Sequence, residues 1–336
     1  MRRLNPIIWP LIGLVLMLLF NAWLTPGFFL IEVRDGRLYG SLIDVVNRAA
    51  PVLLLSLGMT LVIATGGVDL SVGAIMAIAG AVAACLIARP ADSPLQGLDV
   101  GGSLPLVVAI SLGTAWLAGT FNGVLVAKAG IQPIVATLIL MVAGRGVAQL
   151  LTNGQIVTFT DPGFSKIGTG NVAGLPMPIV IFLIALAVIV VLARKTALGL
   201  FIEAVGSSSA AARLSGIRAE RIKTTVYAIS GLVAGLAGLI ACADIKGADA
   251  NNAGLYLELD AILAVCVGGT AMTGGKFTFA GTVVGAILMQ TLTTTILTRG
   301  VSPHATLVAK ALIIVSVCLL QSPAFRRSVK LERTTA

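Results

Sequence analysis

The stretch TGGVDLSVG, residues 65–73, places an aspartate, a serine and three glycines between two long apolar runs. Two adjacent glycines end a helix at little cost, because glycine adopts conformations that other residues avoid. A side-chain oxygen of Asp69 or Ser71 can then cap the following helix, whose positive end favours the carboxylate. The stretch therefore predicts a helix break whose backbone is buried in protein or faces a water-filled cavity. The alternative is an ordinary cytoplasmic hairpin between two spans.

The composition of the chain indicates a membrane protein. Hydrophobic residues make up 57% of its 336 residues, charged residues make up 11%, and the mean hydropathy is +1.02. Crossing a bilayer takes about 20 apolar residues per helix, and lipid offers no partner for the backbone of an open strand. We expect an all-α polytopic membrane protein with a single domain, residues 1–336, and about ten spans. The predicted spans are 7–25, 44–64, 71–89, 104–127, 131–151, 177–193, 222–243, 258–270, 278–298 and 304–321.

Basic residues are concentrated before the first span, between spans six and seven, and after the last span. They are Arg2, Arg3, Arg194, Lys195, Arg213, Arg218, Arg221, Lys223, Arg326, Arg327, Lys330 and Arg333. Because basic residues favour the cytoplasmic side, this distribution predicts that both termini are cytoplasmic. The net charge of +9 is thereby explained by membrane topology, and we expect no nucleic-acid partner.

The glycine-rich stretch that ends at Lys276 does not match a nucleotide-binding loop. A Walker A motif needs a glycine at position 270 and a serine or threonine after the lysine, but the chain has Thr270 and Phe277 there. The four cysteines lack the paired spacing of a zinc site. We therefore predict no cofactor and no metal in this chain.

Two classes of membrane enzyme lack their signatures in this sequence. An isoprenoid-phosphate transferase needs clustered aspartates for magnesium, and an intramembrane serine protease needs a serine and histidine pair. We predict a transport protein and no enzyme. An ion-coupled secondary transporter is one alternative, since such proteins use buried carboxylates. The residues that keep this alternative open are Asp69, Asp244, Asp249, Glu258 and Asp260.

A second stretch, VGGTAMTGGKFTFAG at residues 267–281, also follows an apolar run and also pairs glycines with hydroxyls. When Gly66 and Gly67 are aligned with Gly268 and Gly269, Ser71 aligns with Thr273. Glycine-interrupted helices in corresponding positions of two halves are common in transporters. The alignment therefore predicts an internal repeat and leaves open whether its halves are parallel or inverted.

The cytoplasmic loop between spans six and seven, residues 194–223, is long enough to hold a helix of its own. Ser207 or Ser208 can cap such a helix, the alanines at 210–212 favour it, and Gly216 is typical of its end. A compact helix of small residues is suited to docking on another protein. The alternative is a solvated connector.

Three motifs resemble the permeases of ATP-driven ribose, xylose and arabinose importers. The motifs are GGVDLSVG at 66–73, TALGLFIEAVGSSSAAARLSGI at 196–217 and LDAILAVCVGGTAMTGGKFTFAG at 259–281. NRAAPV at 47–52, QPIVATLILMVAGRGVAQL at 132–150 and DIKGADANNAGLYLELDAILAV at 244–265 resemble the galactofuranose permeases of that family. One departure is Ser208 and Ser209, where many relatives have asparagine and proline.

The resemblance implies a type II-like permease subunit of an ATP-binding-cassette importer, placed in the inner membrane of a bacterium. It implies import of a monosaccharide, galactofuranose or a related furanose. The implied partners are a cytoplasmic ATPase that binds ATP and magnesium, a periplasmic sugar-binding protein, and a second permease that is a different homologous chain. It also implies an ATPase-coupling surface formed by Glu203, Gly206, Ser207, Ser208, Ala211, Arg213, Leu214 and Gly216.

A sugar has many hydroxyls and no charge, so its pathway needs a few hydrogen-bonding side chains between apolar walls. The candidates are Asn47, Asp69, Ser71, Asn122, Gln132, Thr137, Arg145, Gln149 and Gln290. Each of them can instead bridge neighbouring helices, and a buried Arg145 needs a carboxylate, carbonyls or water. Candidates for the periplasmic entry or for contact with the sugar-binding protein are Asp244, Asp249, Asn251 and Asn252. A capped loop is the alternative for this last group.

Overall fold

The computed structural model describes residues 7–34, 36–98, 102–300, 307–308 and 310–312. Within these ranges the chain is mostly helical. The helices are α1 (Ile8–Leu24), α2 (Ser41–Ala64), α3 (Val72–Ala88), α4 (Leu104–Ala127), α5 (Pro133–Leu151), α6 (Pro162–Thr169), α7 (Met177–Lys195), α8 (Ala197–Ser207), α9 (Ser209–Leu214), α10 (Ala219–Ile245), α11 (Leu257–Val267) and α12 (Phe279–Thr298). The strands are β1 (Glu32–Arg34), β2 (Arg37–Tyr39), β3 (Val157–Thr158), β4 (Asn171–Val172), β5 (Leu175–Pro176) and β6 (Gly247–Ala248).

Six of the described helices are long and apolar enough to cross a membrane, namely α2, α4, α5, α7, α10 and α12. The helices α1 and α3 have 17 residues each. Helix α11 has 11 residues and rises only about 16 Å at 1.5 Å per residue, so it spans about half of the hydrocarbon. The predicted tenth span, 304–321, lies mostly outside the described residues. The fold is that of a polytopic membrane protein, whereas the count of ten spans and the internal repeat stay predictions.

Helices α2, α3 and α10 form the buried centre of the described structure, and α4 packs against α10. Small residues allow these helices to approach closely, as is usual in membranes. A Cβ added to Gly231 would lie 2.5 Å from the carbonyl oxygen of Ala115, and one added to Gly119 would lie 2.4 Å from that of Tyr227. No side chain fits at these two positions. The close α4–α10 contact therefore brings the polar residues of both helices together.

Helices α1, α5 and α7 lie at the periphery and expose many large apolar side chains. Trp9, Trp23, Val142 and Leu150 are each more than 60% exposed. Such surfaces are stable only against lipid or another membrane protein.

Three two-stranded antiparallel pairs connect the loops at the helix ends, and the sequence analysis anticipated none of them. Strand β1 pairs with β2, β4 pairs with β5, and β3 pairs with β6. The β3–β6 pair joins Val157 to Ala248 and Thr158 to Gly247. It thereby ties the segment after α5 to the segment after α10 and positions residues 249–256 beside α3 and α5.

The segment 194–223, which the sequence predicts to be a cytoplasmic loop, is more ordered than the single short helix predicted for it. The structure has two helices there, α8 and α9, and the ends of the loop belong to α7 and α10. The prediction missed α8 because its apolar sequence, ALGLFIEAVGS, follows directly on the apolar run of α7. Only Thr196, whose hydroxyl accepts a hydrogen bond from the Leu198 amide at 3.2 Å, separates the two helices.

Candidate functional site

The predicted break between α2 and α3 is buried in the protein, and Asp69 and Ser71 are fully buried. Oδ1 of Asp69 accepts hydrogen bonds from the backbone N–H of Ser71 at 3.1 Å and from its hydroxyl at 2.6 Å. Oδ2 of Asp69 accepts a hydrogen bond from the hydroxyl of Ser230 in α10 at 2.9 Å. Ser71 itself makes no capping bond to α3. The carboxylate therefore holds the irregular segment to α10.

Side chains from α4, α5 and α10 complete this deep polar cluster. Asn122 Nδ2 donates to the Ser71 hydroxyl at 2.7 Å. The hydroxyls of Tyr227 and Thr137 donate to the carbonyl oxygen of Val68 at 3.1 Å and 3.4 Å. Four of the predicted pathway residues thus meet in one network: Asp69, Ser71, Asn122 and Thr137. Their contacts are with each other, with Ser230 and with the backbone, which corresponds to the helix-bridging role that the sequence left open.

A second cluster joins α5 to the segment after β6. The guanidinium of Arg145 donates to the carbonyl oxygens of Ala250, at 3.1 Å, and Ala253. Gln149 Nε2 donates to Asn251 Oδ1 at 2.7 Å. Arg145 therefore has the carbonyl partners that a partly buried guanidinium needs. Both candidates fix the segment 249–253 against α5.

Asp249 organises this segment as a capped loop. Its carboxylate accepts hydrogen bonds from the backbone N–H of Asn251 and Asn252, at 3.0 Å and 3.1 Å, and from Asn252 Nδ2 at 2.8 Å. Partial burial raises the pKa of Asp249, but these hydrogen bonds and the charge of Arg145 outweigh it, so the pKa lies below its usual value. The carboxylate is therefore ionised at neutral pH. Asp244 is exposed near the end of α10 and is not among the partners of this cluster.

A cavity of about 290 Å³ lies between α3, α10 and this segment. Met76 and Ala77 of α3 and Cys242 of α10 line one side, and Asp249 and Asn252 line the other. Its volume is close to the lower limit for ligand pockets. The combination of apolar walls with two polar side chains is suited to a small polar solute.

The three remaining pathway candidates lie elsewhere. Gln132 is exposed at the start of α5, and Asn47 in α2 has an Oδ1 with no partner among the described residues. Gln290 in α12 donates to the Thr294 hydroxyl at 3.3 Å and lines a cleft of about 380 Å³ between α1, α2 and α12. The nine candidates thus do not form one site in this chain.

The predicted coupling segment, α8 and α9, has an internal cap and an exposed face. Ser208 accepts a hydrogen bond from the Ala211 amide at 3.2 Å, which is the predicted cap of α9. Ala212 is buried against Val205 and Ala219. On the opposite face Ala211 is exposed and Leu214 is 92% exposed. Helix α9 is therefore a short helix that is fixed by its cap and presents an exposed leucine on its outer face.

The other predicted coupling residues lie around this helix. Arg213 pairs with Glu220 at 3.1 Å, and Glu203 of α8 lies 3.6 Å from the Arg194 guanidinium. Gly216 has a φ of +82° and follows the end of α9, which agrees with the predicted stop signal. Gly206 and Ser207 form the end of α8.

Comparison with known proteins identifies the family. The family described as "Branched-chain amino acid transport system / permease component" matches residues 41–317. The chain belongs to this family. It is therefore a permease component of a transport system, and its apolar helices make it a multi-pass membrane protein. No solved structure matches the chain significantly.

Three relatives are similar to the permease over nearly its whole length. The galactofuranose transporter permease protein of Escherichia coli (strain K12) is 51% identical over 327 residues, which cover 96% of this chain and 93% of the relative. The fructose import permease protein of Bifidobacterium longum (strain NCC 2705) is 38% identical over 322 residues, covering 94% and 87%. The ribose import permease protein of Escherichia coli (strain K12) is 36% identical over 316 residues, covering 93% and 92%.

The permease also contains a buried charge cluster that the sequence analysis did not assign to the pathway. Asp260 in the first turn of α11 forms an ion pair with Lys310 at 2.6 Å, and both side chains are mostly buried. Glu258 is 2% exposed, and its Oε2 has no hydrogen-bond partner among the described residues. A Cβ added to Gly73 would lie 2.5 Å from that oxygen, so Glu258 lies beside the start of α3. The feature of the sequence that could have revealed this cluster is Lys310, a single charged residue within an apolar run.

Proposed function

We propose that this permease is the membrane-spanning subunit of an ATP-binding-cassette importer in a bacterial inner membrane. It carries a monosaccharide, galactofuranose or a related furanose, into the cytoplasm, and a separate ATPase subunit supplies the energy. The observation that carries the proposal is the capped helix α9, which presents Ala211 and Leu214 outward in a chain whose sequence has no ATP-binding motif. A transporter without its own source of energy needs such a surface.

The sugar substrate is supported by the relatives rather than by the family description. That description refers to branched-chain amino acids, whereas the three relatives above are named for galactofuranose, fructose and ribose. A zwitterionic amino acid needs paired charges, whereas a sugar needs uncharged hydrogen-bonding groups. In the second cluster the charged groups of Arg145 and Asp249 are already held by backbone carbonyl and N–H groups. The amides of Gln149, Asn251 and Asn252 supply uncharged donors and acceptors suited to hydroxyls.

The remaining partners of the proposal are a periplasmic sugar-binding protein and a second, homologous permease chain. The exposed apolar surface of α5, which includes Leu138, Val142 and Leu150, supports a membrane partner. The capped loop around Asp249 is our candidate for the entry to the pathway. We place both termini in the cytoplasm, which puts the coupling segment on the side where ATP is available.

Reconstitution of the permease with its ATPase, second permease and sugar-binding protein tests the proposal. Labelled galactose is the substrate, because its solutions contain the furanose form. We expect proteoliposomes to accumulate the label only when ATP is enclosed in their lumen, on the side that corresponds to the cytoplasm. Ala211→Arg should abolish copurification of the ATPase, because it places charge and bulk on the docking face. Ala129→Arg, in the exposed turn between α4 and α5, is the matched control. Accumulation by the permease alone would overturn the proposal.

The alternative is an ion-coupled transporter, and the buried Glu258 carboxylate favours it, since its Oε2 has no hydrogen-bond partner among the described residues. Proton and sodium ionophores separate the two functions. Ion-coupled uptake collapses when they are added, whereas ATP-driven uptake continues until ATP is exhausted.

A further inference from the structure

Three segments that are distant in sequence meet at one point, at the ends of α2 and α8 and in the turn between α11 and α12. The backbone N–H of Gly275 in that turn donates to the carbonyl oxygen of Ala64, the last residue of α2, at 2.9 Å. A Cβ added to Gly206 in α8 would lie 1.8 Å from the same oxygen and 2.5 Å from the Gly275 nitrogen. The backbone of α8 therefore lies directly against a hydrogen bond that joins the other two segments.

Glycines on all three segments make this contact possible. Gly274 has a φ of +87°, and a Cβ there would lie 2.9 Å from both the Gly206 carbonyl oxygen and the Gly66 nitrogen. Gly66 in turn has a φ of +79°, and a Cβ added there would lie 3.7 Å from the Thr273 carbonyl oxygen. Since distances under 3.0 Å leave no room for a side chain, the segments pack backbone to backbone. A displacement of one segment must displace the others.

A side-chain contact holds the same turn to the coupling segment from the other side. Arg194, at the end of α7, donates to the carbonyl oxygen of Phe277 at 3.0 Å, and its guanidinium lies 5.0 Å from the centre of the Phe277 ring. The same guanidinium lies 3.6 Å from Glu203 of α8. Arg194 thus links α8 to the turn independently of Gly206.

We propose that Ala64, Gly206 and Gly275 form a joint through which a push on α9 moves the turn between α2 and α3 and the turn between α11 and α12 together. Helix α9 transmits the push to α8 because Ala212 packs against Val205. On one side of the joint the chain continues into the break that holds Asp69, and on the other it continues into α12. This inference rests on the proposed function of the segment 194–223. It adds the contact by which a movement of that segment reaches the transport pathway.

Gly206→Ala tests the joint. The structure places Gly206 against Ala64 and Gly275, so this member of the predicted coupling surface lies away from the exposed face of α9. Relieving a 1.8 Å contact requires α8 to shift away from α2 and from the turn, while the residues of that exposed face stay the same. We expect the ATPase to copurify at the wild-type level, but sugar accumulation per ATP hydrolysed to fall about tenfold, within the usual range for coupling between distant sites. Gly113→Ala is the matched control, because it makes the same change in α4 at a position with nothing within 4 Å.

The outcomes distinguish the joint from the proposed function. If Ala211→Arg leaves ATPase copurification unchanged, the docking role of the segment is wrong. If Ala211→Arg abolishes copurification but Gly206→Ala transports sugar as efficiently as Gly113→Ala, docking is supported and the joint is wrong.

A second variant decides the question if Gly206→Ala does not fold. Arg194→Met keeps an unbranched apolar stem but removes the guanidinium, and with it the hydrogen bond to Phe277 and the charge near Glu203. Lys195→Met removes the neighbouring exposed charge and is the control. A coupling ratio at least about threefold lower in Arg194→Met than in Lys195→Met supports the joint. Equal ratios in the two variants overturn it.

Discussion

Ser230→Ala is the sharpest test of the buried break. Ser230 and Asp69 are both fully buried, and the Ser230 hydroxyl is the only described donor to Asp69 Oδ2. Its removal leaves a buried carboxylate oxygen without a partner and changes the side-chain volume very little. A hydrogen bond to a charged group contributes about 1.5–3 kcal/mol. We therefore expect a loss of stability of about 2 kcal/mol, which for a chain of this length lowers the midpoint of thermal unfolding by about 3 °C.

Ser111→Ala is the control for this measurement. Ser111 is fully buried in α4, but its hydroxyl donates only to the Val107 carbonyl of its own helix, at 2.8 Å. Such a bond adds little to stability. Both variants are compared by thermal unfolding in one detergent, followed by size-exclusion chromatography. We expect the midpoint of Ser111→Ala to stay within about 1 °C of wild type.

A double-mutant cycle with Asp69→Asn separates the pair from other effects. If Ser230 acts through Asp69, removing the Ser230 hydroxyl costs less once the carboxylate is replaced. Equal midpoints for Ser230→Ala and Ser111→Ala, or additive effects in the cycle, would refute the assignment of Asp69 as the link between the break and α10.

Three further perturbations follow from the described contacts. Gly73→Ala brings a methyl group within 2.3 Å of the Gly254 carbonyl oxygen, so we expect transport to be lost and thermal stability to fall. Gly146→Ala adds a methyl group where no atom lies within 4 Å, so we expect it to change neither transport nor stability. Ser208→Ala removes the cap of α9 and costs the helix about 1 kcal/mol, which should increase hydrogen exchange at 209–214 and weaken binding of the ATPase in a titration. Lys310→Met leaves Asp260 buried without its partner, which costs about 3–5 kcal/mol of stability. Adding Asp260→Asn should recover most of the loss in the unfolding midpoint. A double variant that is no more stable than Lys310→Met alone would show that the loss does not come from the broken ion pair.

The positions of the helices were largely predictable from the sequence. Nine of the predicted spans coincide with described helices within a few residues, because long apolar runs and glycine or proline boundaries are local signals. The cap at Ser208 and the stop at Gly216 were predictable for the same reason. The strand pair β3–β6 was not, because strands of two residues leave no alternating pattern and depend on a contact between distant segments.

The grouping of polar residues could not be predicted from the sequence. Asp69 and Ser230 are separated by 161 positions, and no periodicity relates them. Which of the candidates share a cluster depends on which helices are neighbours, and that is set by small residues such as Gly119 and Gly231 rather than by polar ones. The joint at Gly206 could not be predicted for a similar reason. A glycine in the sequence indicates that another segment packs closely against it, but it does not indicate which segment.

The two candidate functions make different demands on the buried carboxylates. An ion-coupled transporter needs a carboxylate that can bind and release a proton or a cation. Asp69 is poorly suited, because both of its oxygens already accept hydrogen bonds from Ser71 and Ser230. Glu258 is better suited, because its Oε2 is buried without a hydrogen-bond partner among the described residues. Ion coupling would therefore make uptake depend on Glu258 and collapse with an ionophore, whereas coupling through α9 makes uptake depend on Ala211 and Gly206 and leaves it insensitive to ionophores.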